Sequence, residues 1–171
     1  VLNGFGDPAR IEADRQAIQA KAAANARVLY HNADMTRPAE IADLIAYAHK
    51  ELGRLDILVN NAGIQHVAPV DEFPDEKWDA LIAVILSSTF HATKAAVPIM
   101  KAQGRGRIVN IASAHGLVAS AFKSPYCAAK FGVVGFTKSC AVELARTGIT
   151  VKAICPGYVK TPLIEIQIGY Q

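Results

Sequence analysis

Two hydrophobic rhythms alternate along the chain. Short stretches that are apolar almost throughout, at 27–34, 56–63, 106–113 and 149–157, separate longer ones of helical pattern at 7–26, 37–53, 74–104 and 124–147. The short runs are too brief for helices and read as buried strands, and the long ones as helices. In "RPAEIADLIAYAHKELG" the residues Ile41, Leu44, Ile45 and Ala48 fall on one helical face, and Gly53 supplies the stop. Asp7-Pro8 opens the first helix, and Pro98 lies near the end of the long apolar one. Strands without polar alternation, joined by helices, predict a parallel sheet covered on both faces. The fold class expected is therefore α/β, a doubly wound, Rossmann-like parallel sheet, forming a single domain over residues 1–171.

In such a sheet ligands sit outside the carboxyl ends of the strands. The candidate chemistry falls there: Asp34, the run Asn60-Asn61-Ala62-Gly63, the loop from Ser113 to Lys123, and Pro156-Gly157. Tyr126 and Lys130 are four apart on one helical face, where an ammonium favours the phenolate and makes tyrosine a usable acid or base. Ser113 is placed to donate to a carbonyl oxygen. Taken alone the Tyr-Lys pair has no specificity, and a surface tyrosine beside a solvated lysine explains it equally well.

Composition narrows the classes. The chain is 51% hydrophobic and 19% charged, as in a globular domain. Its net charge of +3 is spread without a basic block, which argues against a nucleic-acid partner. No unbroken apolar run reaches the ~18 residues of a membrane span, and no signal peptide is expected at Val1. The three cysteines, Cys127, Cys140 and Cys155, lack metal or CxxC spacing and read as reduced thiols of a cytoplasmic protein, with no metal site.

Four pieces in order, "NNAG" (60–63), Ser113 after "IVNIA", "YCAAK" (126–130) and "PGYVKT" (156–161), resemble the short-chain dehydrogenase/reductase family. The resemblance implies Ser113, Tyr126 and Lys130 as the catalytic set and NAD as cofactor. Tyr126 would then exchange the proton of the substrate oxygen, Lys130 bind the nicotinamide ribose and lower the tyrosine pKa, and Ser113 orient the substrate. "NNAGIQH", "IASAHGLVAS", "GVVGFTK" and "TPLIEIQI" are similar to members that interconvert (R)-3-hydroxybutyrate and acetoacetate. That implies a carboxylate pocket of Gln65, His115, Lys123 and Gln167, and a cation with several fixed donors suits a short anion. By the same resemblance Asp34 and Met35 meet the adenine. Asn61, Ala62 and Gly63 form the wall near the adenosine ribose, and Pro156, Gly157, Val159 and Thr161 the nicotinamide side.

Other readings stay open: a reductase of 3-oxoacyl thioesters or sugars, or a non-catalytic protein that kept the dinucleotide fold. The chain departs from the family at two points. No glycine fingerprint is present, since "NGFGD" offers only Gly4 and Gly6, and the usual NAD-selecting acid falls near Asn3. Ile85 stands where the family usually carries an asparagine that holds a relay water, and isoleucine has no polar atom for this. The two apolar helices at 75–103 and 124–147 exceed what one sheet face needs, and the family is commonly tetrameric, so a homotetramer is expected.

By resemblance, Val1 begins at the family's second strand, so the sheet is expected to be incomplete at both ends. The second and fourth family strands would then have no neighbour between them. The 171 residues alone are accordingly expected to show no dehydrogenase activity, and robust turnover by them would overturn that expectation.

Overall fold

The computed structural model describes residues 1–159. Its elements run in the order β1 (Leu2–Asn3), α1 (Pro8–Lys21), β2 (Tyr30–His31), α2 (Pro38–Leu52), β3 (Ile57–Asn60), α3 (Asp75–Leu81), a π-helical turn (Ile82–Ser87), α4 (Ser88–Ala102), β4 (Gly106–Ile111), a 3-10 turn (Ala114–Gly116), α5 (Ser124–Glu143) and β5 (Ile149–Ile154). Every strand pairing is parallel, so the α/β expectation holds. The strands form two sheets, β1-β2 and β3-β4-β5. Among the described residues no strand pairs β1 with β3, which is the interruption expected from the sequence.

Helix termini follow local chemistry. The Asp7 carboxylate accepts from the Arg10 amide with Pro8 in the first turn, capping α1. Gly53, left-handed at φ 74°, ends α2 by donating its amide to the His49 carbonyl. α1 stops at Lys21, short of the expected 26. There the Gln19 side chain turns the chain back, donating to the Ala26 carbonyl and accepting from the Val28 amide. The strands are likewise shorter than their apolar runs, and β2 keeps only two residues.

One face of the three-stranded sheet is fully covered. Leu58, Ile108, Ile149 and Val151 point to it and meet Ile41 and Ile45 of α2 and Ala92, Ala96 and Met100 of α4. A second cluster, Leu81, Ile85, Ala112, Ala129 and Val133, joins the π-helical turn to α5. The opposite sheet face differs from expectation, for Ile57 is 62% exposed, Val59 54% and Ile154 51%. Apolar strand patterning thus marks residues suited to burial on both faces, whereas the described helices shield only one.

The stretch Asp75–Ala102 is long and apolar enough by itself to cross a membrane, with a mean hydropathy of 1.5 over its most apolar window. Counting unbroken apolar runs overlooked it because serine, threonine and histidine interrupt it. In the fold it lies against α2 on one side and α5 on the other, as a core helix does.

Near Asn3 the structure explains the missing acid. The Asn3 amide donates to the carbonyls of His31 (3.0 Å) and Ala33 (2.9 Å), tying β1 to β2. A carboxylate there would face two carbonyl oxygens with no proton to offer. Asn3→Asp is expected to destabilise the β1-β2 pair by about 1–3 kcal/mol, more than Asn3→Ala. Amide hydrogen exchange at residues 2–3 and 30–33 checks this, and equal protection in the two variants would refute it.

Candidate active site

A cavity of about 480 Å³ opens at the carboxyl ends of β3, β4 and β5. Ser113, His115, Lys123, Tyr126 and Lys130 line it, with Gln65 on the β3 side. Parallel pairing brings these distant stretches together. Beyond β4 and β5 the register continues, as Ala112 donates to the Ile154 carbonyl and Ala114 to that of Pro156, both at 2.8 Å. Ser113 and the Pro156-Gly157 loop therefore sit side by side.

Ser113 has extended backbone, and its hydroxyl oxygen accepts the His115 amide at 3.1 Å. The same hydroxyl lies near the Tyr126 phenol and favours its ionised form. Burial pushes the phenol pKa above its ordinary value, and the Ser113 hydroxyl pulls it partly back. One turn along α5, the Lys130 ammonium donates to the Ile111 carbonyl at 2.7 Å and stands 5.6 Å from the Tyr126 ring centroid. Burial lowers its pKa to about 8. Here the ammonium faces the Tyr126 ring and a carbonyl, and desolvation is the largest influence on the phenol.

His115 is fixed by its turn. Its ring meets Tyr126 edge-on (centroids 6.4 Å, planes at 78°) and Tyr158 likewise (6.4 Å, 86°). Its Nδ1 is buried without a hydrogen-bond partner among the described residues. The turn can sit this close to α5 because the next residue is glycine, where a Cβ would lie 2.8 Å from the Lys130 carbonyl oxygen. Lys123, whose residue type alone favours a solvated surface charge, is only 5% exposed. It follows Phe122, a non-glycine residue in the left-handed region at φ 61° whose carbonyl accepts the Ala68 amide at 3.1 Å. That strained join places Lys123 inside the cavity and ties its loop to the Gln65 side.

On the cofactor side, Asn61, Gly63, Pro156, Gly157 and Val159 line the same cavity. Ala62 is not part of its lining, and neither are Asp34 and Met35. The Asp34 carboxylate accepts the Thr36 amide and hydroxyl in a local turn, which holds its pKa below the usual value, and Met35 packs on the core. Thr161 and Gln167 lie outside the described residues. Tyr158, Ile64 and Ala114 line the cavity although the sequence reading did not single them out. Only Tyr158, beside Gly157 in "PGYVKT", carried a usable signal.

The short chain dehydrogenase family model matches residues 8–167. The chain belongs to the short-chain dehydrogenase family. Among curated family members it is 55% identical over 168 residues to the D-beta-hydroxybutyrate dehydrogenase of Cupriavidus necator, covering 98% of this chain and 64% of that protein. It is 55% identical over 171 residues to the enzyme of the same name from Rhizobium meliloti, covering 100% of this chain and 66% of that one. The chain thus spans less than two thirds of the length of these family members. The crystal structure of levodione reductase superposes with a TM-score of 0.89 at 34% identity, over 95% of this chain and 63% of that one.

A nicotinamide dinucleotide fits the family and this wall. A Cβ at Gly157 would meet no protein atom within 4 Å, and one at Gly63 only the Asn61 carbonyl oxygen at 3.9 Å. Both glycines line the cavity, so the backbone there admits a flat ring at close range.

Two measurements check this geometry. Gly116→Ala is expected to push the His115 turn away from α5 and lower turnover, with a folded protein by circular dichroism; unchanged kinetics would refute it. Lys130 binds a proton up to about pH 8 in the fold but up to about 10.5 when unfolded. Between those values the unfolded chain holds more protons, so unfolding free energy rises with pH there, while below pH 8 the buried ammonium is a constant penalty. Lys130→Met is expected to remove that rise in denaturant titrations.

Proposed function

We propose that the protein is an NAD-dependent oxidoreductase interconverting (R)-3-hydroxybutyrate and acetoacetate. The reading rests above all on one juxtaposition: a half-buried Tyr126 phenol beside Ser113, in a cavity that also holds the buried Lys123. Fold alone would not carry it, because this fold hosts many chemistries.

NAD, when bound, supplies the hydride acceptor. Tyr126, as phenolate, takes the substrate hydroxyl proton, and Ser113 holds the oxygen as its bond order changes. Because burial disfavours the phenolate, proton removal is helped by the Ser113 hydroxyl, and positive charge at Lys130, one turn along the helix, would help it further. Lys130 also offers its remaining donors to the nicotinamide ribose beside Gly63 and Gly157. Lys123, Gln65 and His115 hold the carboxylate; the buried Nδ1 of His115 has no partner among the described residues to give up. Gln167 belongs to this set by resemblance. A short anion held at one end presents one carbon to the Ser113–Tyr126 pair, which makes the site selective for 3-hydroxy acids.

The proposal includes a cytoplasmic homotetramer. Phe90 on α4 and Phe131 on α5 are each 44% exposed, apolar surface suited to contact between copies. Static light scattering tests that stoichiometry.

Tyr126→Phe is expected to lower turnover by about 10²–10⁴-fold with the substrate KM little changed. Lys123→Met is expected to raise KM for 3-hydroxybutyrate while leaving a neutral secondary alcohol unaffected; equal losses on both would overturn the carboxylate assignment. Ile85 is 1% exposed within the apolar cluster under Tyr126. Ile85→Asn is therefore expected to raise turnover while lowering the melting temperature, since it buries an amide among apolar groups. No kinetic change would show that a relay water at this position is dispensable.

A further inference from the structure

A buried polar chain crosses the molecule beneath the cavity. Asn60 and Asn110 are register partners on β3 and β4, and their side chains share the helix-covered face. Asn60 Nδ2 donates to Asn110 Oδ1 at 2.8 Å and points to Thr93 Oγ1 of α4 at 3.5 Å. Asn110 Nδ2 donates to Thr137 Oγ1 of α5 at 2.8 Å. Thr137 donates its own proton to the Val133 carbonyl at 2.7 Å, so it receives from Asn110 and fixes which way both amides point. Asn110 is 0% exposed and Thr137 5%.

A chain of this kind gives little net stability over well-packed apolar side chains of the same shape. Its value is directional, because hydrogen bonds reject shifts that apolar contacts tolerate. α5 has two such anchors on consecutive residues of β4: Thr137 on Asn110, and Lys130 on the Ile111 carbonyl. They lie seven residues apart on the helix, about 10 Å. Two anchors at that spacing fix both the rotation of α5 and its position along the axis. Tyr126 is on the same helix, Ser113 lies two residues beyond Ile111, and the Asn61–Gly63 wall follows Asn60.

We propose that Asn110, acting through Thr137 and Asn60, is a positioning residue for the reaction: it sets the register of α5 so that Tyr126 meets Ser113 and both meet the cofactor wall. This inference rests on the oxidoreductase reading above. It goes beyond that reading by placing a kinetic role in residues that touch neither substrate nor cofactor.

The test uses the full-length protein with Thr137→Val, Asn110→Leu, the double variant, and Thr137→Ser. Turnover, KM, thermal stability and the titration of Tyr126 are read for each. Tyr126 is followed by 13C at its Cζ and assigned with Tyr126→Phe. Thr137→Val is expected to fold, to lose about tenfold in kcat with KM within about twofold, and to shift the Tyr126 midpoint up by about half a unit as the Ser113 hydroxyl draws away. Thr137→Ser, which keeps the hydroxyl, is expected to restore both values. The double variant removes the amide stranded at Asn110 but also the acceptor of Asn60, leaving it only Thr93, and is expected to regain part of the stability lost in Thr137→Val but not kcat. Parental kcat and parental Tyr126 titration in Thr137→Val would overturn the proposal, as would a double variant that recovers kcat together with stability. If the unsubstituted protein oxidises no hydroxy acid, the oxidoreductase reading falls. The Tyr126 titration then decides the positioning role by itself, supporting it if Thr137→Val shifts the midpoint and overturning it if not.

Discussion

The attachment of α5 to β4 is the constraint on which the site depends. A helix lying on a sheet through aliphatic contacts alone has several nearly equivalent seats, because ridges of side chains repeat along it. Here Lys130 reaches the Ile111 carbonyl and Thr137 reaches the Asn110 amide, so one seat is singled out. Ser113 follows on the same strand and Tyr126 on the same helix, and their hydroxyls lie near one another as a consequence. Gly116 closes the third side by letting the turn that carries His115 rest on the backbone of α5.

That arrangement carries an electrostatic cost. Lys130 is nearly fully buried, its charged form is disfavoured, and its partner is a neutral carbonyl. Tyr126 is likewise shielded from water, so its ionised form is disfavoured as well. Lys130 is thereby poised closer to exchanging its proton near neutral pH than it would be at the surface, whereas the phenol holds its proton more firmly. Stability is given up at the place where reactivity is needed.

Much of this was legible in the chain. The rhythm of short apolar runs and longer helical ones gave parallel α/β architecture, and the strand ends located Ser113, Tyr126, Lys130 and the Pro156-Gly157 loop. Other features were hidden for definite reasons. Asn60, Asn110 and Thr137 are separated by 50 and 27 residues, and nothing local in an asparagine says which strand face it occupies. The burial of Lys123 was hidden because it depends on the left-handed turn at Phe122, which residue type argues against. Spacing along α5 placed Lys130 beside Tyr126, but it does not reveal that the ammonium faces the ring and the Ile111 carbonyl.

The π-helical turn at Ile82–Ser87 gives the long helix a property that hydrophobic periodicity passes over. Each wider turn holds an extra residue, which rotates everything downstream by roughly 100° relative to an uninterrupted α-helix. Leu81 and Ile85 thereby address the cluster under Tyr126, while Ala92, Ala96 and Met100 address α2 and the sheet. The carbonyls loosened at the turn are taken up by Ser88, bonded to Val84 at 2.6 Å, and Thr89, bonded to Ile85 at 2.8 Å. One continuous rod is thus keyed into two different sockets, and its phase, more than its composition, decides which residues stand behind Tyr126.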